Sequence, residues 1–499
     1  MLRIGIVRNE RSIEIHSAGS ILLKRGDLLL PTQQSNRLVF EVGTTVSAKT
    51  LYRVCVASHR GSERRQAWRD MRSWRRKGYR AELIRRGRKL NIGDHLVDNT
   101  SLILSVSAHA DRDEAVRVRE DLSAANVAAW IEEEAVTPAA GTIVVRDVNN
   151  ASTLVVSAPV SLVSKSPVMI KDVNFGFWNE RREDRTYEGA LEVGVGKDGA
   201  LQVVEYVDLE SYILGVVPAE MPSSWPEAAL QAQSVAARTE TVAKIGTRHL
   251  ADGYDLCATE HCQAYGGLNR RAPPTTAAAR MTRGEILMEG VRPVDTVYSL
   301  NCGGHTENVE NVWSLNAAPA LRGRLDTLGD RGSLPSPIGD REIAGWVTTR
   351  PEVMCAESHR PENFRWKKIY TADEVNDLVS AKIGGIGTVT DIVPLDRGVS
   401  GRLKALKVVG TRGEKVVRKE LPIRSLFGGL YSAALVVDIQ RDDSGKLVSV
   451  TFVGAGRGHG VGMCQDGARG RALRGETYRR ILQHYYAGAS IVKLYGMRL

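Results

Sequence analysis

The chain has 499 residues, 42% of them hydrophobic and 25% charged, with a formal net charge of +10. That length suggests about two to four domains with ample core, in the composition range of folded globular proteins. The positive balance favours a polyanionic partner: nucleic acid, an anionic lipid surface, or a cell-wall polymer bearing carboxylates and phosphates. Six cysteines in so long a chain exclude a disulfide-scaffold fold. No apolar run reaches the roughly 18 residues that span a bilayer. The opening MLRIGIVRNERSIEIH lacks the apolar core of a signal peptide.

Residues 1–50 read as short strands: LRIGIV, SIEIH and LVFEV run apolar or alternate between Gly, Asp and Asn punctuation. Residues 51–84 and 102–133 then share one plan of strand, polar turn, helix and second strand. At a period of about 50 residues, Val54 and Val56 answer to Leu104 and Val106, and His59 to His109. The expected apolar helix faces are Trp68, Met71 and Trp74, then Ala115, Val118 and Leu122. Two such halves predict a ferredoxin-like βαββαβ module over 51–134. Its first half is crowded with arginine and lysine from Arg60 to Lys89, and like charges at i, i+4 weaken a helix. An anionic partner would explain them. Residues 135–186 return to β-type sequence, so the repeat is inserted into, or hung from, an N-terminal β region. Residues 187–499 mix strands with a few helices, among them a capped start at Thr371 with Glu374 and a terminal helix, TYRRILQHYYAG, that stops at Gly488. The expected class is α+β: a β-rich region with a few helices, plus the βαββαβ module.

Four segments carry chemistry-bearing residues. In LGVVPAEMPSSWPEAALQAQSVAARTE (214–240), Glu220 is expected on a turn between Pro218 and Pro222. Ser224 and Glu227 form an S-x-x-E capping box, with Pro226 in the first helical turn. A carboxylate on a rigid turn can be positioned for proton transfer; a solvated loop Glu is the alternative. His249, Cys257, His261 and Cys262 have the spacing H-x7-C-x3-H-C. Such thiolates and imidazoles suit tetrahedral Zn²⁺. A Cys257–Cys262 disulfide or two inert buried thiols compete. Adjacent His261 and Cys262 seldom bind one ion together, so the spacing predicts three protein ligands rather than four. In NCGGHTEN, Gly303 and Gly304 allow close backbone approach to a ligand, and Cys302 with His305 is a weak nucleophile pair lacking an orienting partner. GAGRGHGVGMCQDGA (454–468) is glycine-rich without the closing Lys-Ser/Thr of a phosphate loop. It reads as a glycine-rich strand or a tightly packed bend.

Together with YDLCATEHCQAYGG (254–267) and VYSLNCGGHTENVENVW (297–313), these segments are similar, in order, to the signatures of the SpoIID/LytB family of bacterial cell-wall proteins. The resemblance runs from about Tyr187 to the C-terminus. Sporulation members are lytic transglycosylases acting on peptide-stripped glycan; LytB members are amidase enhancers. The resemblance implies that Glu220 is the catalytic acid and base. The muramic acid's own C6 hydroxyl attacks C1, so one carboxylate suffices where hydrolases use two. Apolar Val216, Val217, Met221 and Trp225 are the neighbours that would keep such a carboxyl protonated. The resemblance also implies that Cys302, Gly303, Gly304 and His305 wall a substrate groove and that His459 and Gln465 reach a sugar. Arg457 would meet the lactyl carboxylate, and Gln233 and Arg238 are further substrate-binding positions. Some members bind zinc at the His/Cys cluster. The 51–134 repeat resembles a SPOR domain, a module that binds peptide-stripped peptidoglycan.

The expected partners are glycan strands and a cell-wall amidase, and the expected location is the cell envelope. Without a signal peptide, that location requires an upstream start, prior processing or a different place of action. Two other functions remain open: a non-catalytic amidase enhancer, and RNA binding through the basic repeat. RVCVAS lacks the aromatic pair that RNA-recognition sheets stack on bases.

Overall fold

The computed structural model describes all residues except 31–34, 126, 177–179, 314–315, 330–331, 333 and 497–499. The fold is strand-rich α+β. It divides into two compact units, one of residues 1–224, 237–295 and 492–499, the other of 225–236 and 296–491. Strand pairing crosses the boundaries between the four stretches read from the sequence.

In the first unit one sheet runs, in spatial order, through Thr153–Ser157, Ala140–Asp147, Ser35–Val46, Ser12–Arg25, Val160–Ser164, Ala190–Val195, Leu201–Val207, Leu2–Glu10 and Leu256–Cys257. The last pair is parallel, Ile4 opposite Leu256 and Gly5 opposite Cys257; the others are antiparallel. Leu2, Ile4, Ile13, Ile15, Leu191, Val193, Leu201 and Val203 point into a core that also takes Tyr212, Ile213, Val216 and Val217 from the Leu209–Glu220 helix. This packing fixes the helix that ends at Glu220.

Residues 49–137 lie between Ser35–Val46 and Ala140–Asp147, which pair with each other. They form a four-stranded antiparallel sheet in the order Trp130–Thr137, Lys49–Arg60, Ser101–His109, Glu82–Arg86. Two helices, Arg64–Arg76 and Arg112–Ala124, pack on it through Met71 and Ala115 with Leu122. Trp68 departs from the expected apolar face. It is 50% exposed, on the arginine-rich side, and Ala67 takes the buried position instead. A hairpin, Lys89–Ile92 with His95–Asp98, precedes the third strand. Val97 packs with Val242 and Ile286. The Asn99 amide donates to the carbonyls of Val242, Ala243 and Ile245 at 3.1, 3.1 and 2.9 Å. The basic repeat is thus fastened to the rest of its unit by buried polar bonds.

The second unit holds two three-stranded antiparallel sheets, Arg365–Thr371 / Leu447–Ala455 / Leu435–Arg441 and Val389–Arg397 / Leu403–Gly410 / Gly413–Arg418. Their shared core includes Phe427, Phe452, Leu406 and Val375. The Ala372–Ile383 helix starts with the Thr371–Glu374 capping box legible in the sequence. A short parallel pair, Tyr298–Ser299 with Met463–Cys464, sets the NCGGHTEN segment beside GMCQDGA.

Candidate functional site

Glu220 is not on a free turn. It is the last residue of the Leu209–Glu220 helix, which Asp208 caps by accepting from the Glu210 and Ser211 amides at 3.0 and 3.1 Å. Pro218 lies inside the helix and has no N–H for the Leu214 carbonyl, so the helix is weakened where it ends. The next helix, Glu227–Lys244, starts later than the capping box predicts: the Pro226 carbonyl, not a Ser224 cap, accepts the first helical bond from Leu230, at 3.2 Å. Ser223 and Ser224 form a turn. Glu220 is half-buried, and its Oε1 accepts the Ala264 backbone N–H at 2.7 Å.

The QAYGG segment is pressed onto that helix. The Gly266 amide donates to the Gly215 carbonyl at 3.2 Å. A Cβ on Gly215 would come within 2.4 Å of the Tyr265 ring and 2.8 Å of the Gly267 carbonyl, so only glycine permits the approach. Tyr265 in turn donates its hydroxyl to Glu205 Oε2 at 2.8 Å, while Gly189 N–H donates to Oε1 at 3.0 Å. Burial pushes the Glu205 carboxyl up to about 7, against the opposing pull of those two hydrogen bonds. Glu205 carries no sequence signature; only the fold shows that an acid in a strand interior is buried.

His249, Cys257, His261 and Cys262 converge in the same unit, with one ligand atom from each lying within 4.8 Å of the others. His249 Nε2 is 3.3 Å from Cys262 Sγ, and His261 Nδ1 is 3.6 Å from both Cys257 Sγ and Cys262 Sγ. Adjacent His261 and Cys262, which the spacing did not expect to share one ion, turn toward the same point. Asp252 Oδ2 holds His249 Nδ1 at 2.9 Å, which orients Nε2 toward the thiols. His249 has a left-handed backbone, φ +54°, uncommon for a non-glycine residue. The Cys262 thiol, with His249 and His261, holds the Cys257 thiol well below its ordinary value against the effect of burial. All six cysteines are buried free thiols, so no disulfide joins Cys257 to Cys262.

Two residues expected to meet substrate lie buried in the structure. Arg238 is fully buried and forms a bidentate pair with Glu210, Nε to Oε1 at 3.0 Å and Nη2 to Oε2 at 2.9 Å, with further bonds to the Glu285 and Ala279 carbonyls. Gln233 is also fully buried, its Oε1 accepting from Gln465 Nε2 at 3.4 Å. Small residues along their helix draw both inward.

In the second unit, His305 is buried, with Nδ1 2.7 Å from the Thr306 carbonyl and Nε2 2.9 Å from Ser336 Oγ. Burial pushes it below its ordinary value. Both ring nitrogens are thus engaged within the unit. Cys302 and Gln465 are buried as well. Gly303 and Gly304 have φ of +76° and +105°, and a Cβ on either would strike Ala455 or Trp346. Their freedom therefore serves packing. GAGRGHGVG is not a strand beyond Ala455. Gly456, Gly458, Gly460 and Gly462 all take positive φ, and a Cβ on Gly460 would lie 2.3 Å from the buried Arg402 guanidinium. Arg457 and His459 stay half-exposed. Arg457 stacks on Tyr431 and donates to Asn363 Oδ1 at 3.2 Å; His459 Nε2 lies 2.9 Å from the Tyr298 carbonyl, its ring against Trp313.

A family model described as Stage II sporulation protein matches residues 197–288, the stretch holding Glu220, Ala264 and the four clustered His and Cys side chains. That stretch of the chain is similar to the SpoIID family. A second family model, a domain of unknown function, matches 307–462. The amidase enhancer of Bacillus subtilis is 28% identical over 292 residues, 56% of this chain and 40% of that protein, so the match spans less than half the relative's length. Stage II sporulation protein D of the same organism is 28% identical over 309 residues, covering 58% of this chain and 76% of the relative. An uncharacterized protein of Brachyspira hyodysenteriae is 28% identical over 345 residues, 66% and 82% of the two chains. These similarities agree with the SpoIID/LytB resemblance read from the motifs. No described helix is long and apolar enough to cross a membrane. The backbone amide that grips the motif glutamate was invisible to sequence reading, because any residue at position 264 supplies it.

Proposed function

We propose that this chain is a lytic transglycosylase acting on peptidoglycan glycan strands, with Glu220 as its single acid and base. One observation carries the reading: the family's glutamate, at a helix end, is locked by a 2.7 Å bond from the next family motif at Ala264 and stays half-exposed. A carboxyl so positioned gives its proton to the leaving glycosidic oxygen. The resulting carboxylate accepts the proton of the muramic C6 hydroxyl as that oxygen bonds to C1, and the strand is left with a 1,6-anhydro end. No water is consumed.

The donor set of His249, Cys257, His261 and Cys262 fits Zn²⁺: two thiols and two imidazoles within one tetrahedral span, one imidazole oriented by Asp252. The ion would supply structural cross-linking. Cys262 lies two residues before Ala264, so the cluster braces the amide that holds Glu220. The sheet order of 49–137 is that of a ferredoxin-like module, which supports a SPOR-type, glycan-binding role for the exposed arginines of Arg64–Arg76 with Trp68 among them. Such a protein would work in the cell envelope.

The second reading is a binding protein that presents glycan to a partner amidase; the similarity to an amidase enhancer favours it. Incubating the full chain with peptide-free glycan strands and weighing the products separates the two. Anhydro-muramyl ends are expected. Intact strands, together with faster amidase turnover on adding the chain, would replace the first reading with the second.

A further inference from the structure

We infer that Cys302, Cys355, Cys464 and Asp326 form a second metal site, a closed centre for one thiophilic divalent ion of the Zn²⁺ type. The four residues are scattered over 163 positions and meet only in the fold, one ligand atom from each lying within 4.8 Å of the others. Cys302 Sγ is 3.6 Å from Cys355 Sγ and 3.7 Å from Asp326 Oδ2. A tetrahedral ion with bonds of about 2.3 Å to sulfur needs ligand separations of about 3.8 Å. An iron–sulfur cube would need its ligands further apart. A disulfide needs sulfurs at about 2.0 Å and would leave a third thiol and a carboxylate with no role.

The surroundings are built for that arrangement. All four side chains are buried, Asp326, Cys355 and Cys464 completely. Asp326 Oδ1 accepts from Tyr485 Oη at 2.7 Å and pairs with Arg471 at 3.5 Å, which turns Oδ2 toward the sulfurs. Cys464 Sγ accepts the Cys302 and Gly467 backbone N–H groups at 3.1 and 3.3 Å and caps the Gln465–Leu473 helix, which fixes the sulfur facing the other two. A Cβ on Gly467 would lie 2.3 Å from Asp326 Oδ2, and one on Gly470 2.2 Å from the Met354 carbonyl. Only glycines let this helix approach the Asp326 segment and the Met354–Glu357 turn that carries Cys355. Three sulfurs and one carboxyl oxygen meeting at one buried point form a sulfur-rich donor set, and such donors select soft or borderline ions over Mg²⁺ or Ca²⁺. Each binding thiol gives its proton to solvent as the ion enters. With no exposed coordination position, the ion is structural. It ties the NCGG segment, the Met354–Glu357 turn and the GMCQ segment into one clamp, whether or not Glu220 catalyses.

The test uses the full chain, purified without added chelator. The Cys257→Ser/Cys262→Ser variant isolates the second site: it should retain about one zinc per chain, and reloading with Co²⁺ should give tetrahedral d–d bands with sulfur-to-cobalt charge transfer. Cys302→Ser/Cys464→Ser should lose one equivalent relative to the parent. Should these variants fail to fold, the parent decides. Cys302, Cys355 and Cys464 should resist iodoacetamide until a strong chelator is added, as read by peptide mapping. A metal-free Cys257→Ser/Cys262→Ser protein, alkylation indifferent to chelator, or a Cys302–Cys355 disulfide in unreduced peptides would overturn the site.

Discussion

In the first unit a motif carboxylate stays half-exposed at the end of a helix, where it accepts the Ala264 amide; in the second, the motif residues Cys302, His305 and Gln465 are buried among partners. The same density of family motif thus serves two ends. Around Glu220 it positions a group that can exchange a proton. Around the NCGG and GHGVG segments it packs backbone against backbone, where four alternating positive-φ glycines leave room for nothing else. Substitutions should separate these roles.

The largest effect is expected at Arg238, which the sequence alone assigns to substrate. Arg238→Ala would strand the Glu210 carboxylate in the core and cost about 3–5 kcal/mol in urea unfolding. A loss of glycan affinity with stability intact would return Arg238 to the substrate side of the comparison. Glu205 comes next. Its folded value near 7 lies above the ordinary carboxylate value of 4.5, so the folded state holds a proton that the unfolded chain has lost between those pH values. Stability should fall by about 3 kcal/mol at most as pH rises from about 4.5 to 7, then level off. Tyr265, Glu188 and Arg271 are the titratable and charged neighbours that set this window. Glu205→Gln should remove that slope, read as melting temperature against pH; an unchanged slope would assign it to other groups.

Gly462→Ala probes the second unit. Its φ of +70° and a Cβ 2.0 Å from the Val297 carbonyl predict a destabilisation of about 2 kcal/mol. A full-stability variant with impaired glycan binding would show that this bend contacts substrate instead. The smallest effect is expected from replacing exposed Arg64, Arg65, Arg69 and Arg72 by Gln. Sedimentation with peptide-free glycan should weaken severalfold at low salt and converge with the parent at high salt. Folding should be untouched, and stronger retention on RNA than on glycan would redirect the basic repeat.

Legibility followed the range of the interactions. The His/Cys cluster could be read because its side chains fall within 14 residues of chain, from His249 to Cys262, and the fold brings all four together. The Cys302, Asp326, Cys355 and Cys464 group could not, since pairing of Tyr298–Ser299 with Met463–Cys464 and the packing of two glycines bring it together. Periodicity recovered the two helices of the basic repeat but misplaced Trp68, because an arginine-rich face and an apolar face differ by one residue of rotation. The helix ending at Glu220 was hidden by Pro218, which reads as a breaker and here sits in the last turn. Strand pairing across residues 50, 134 and 186 is set by long-range contacts that local sequence does not display.

The most direct measurement compares Glu220→Gln with the parent on peptide-free glycan strands, scoring 1,6-anhydro ends by mass alongside the melting temperature. Glutamine keeps the acceptor for the Ala264 amide and cannot deliver the proton. The account predicts product formation lowered on the order of 10²-fold or more, with melting temperature and glycan binding unchanged. Undiminished release of anhydro ends by Glu220→Gln would contradict it.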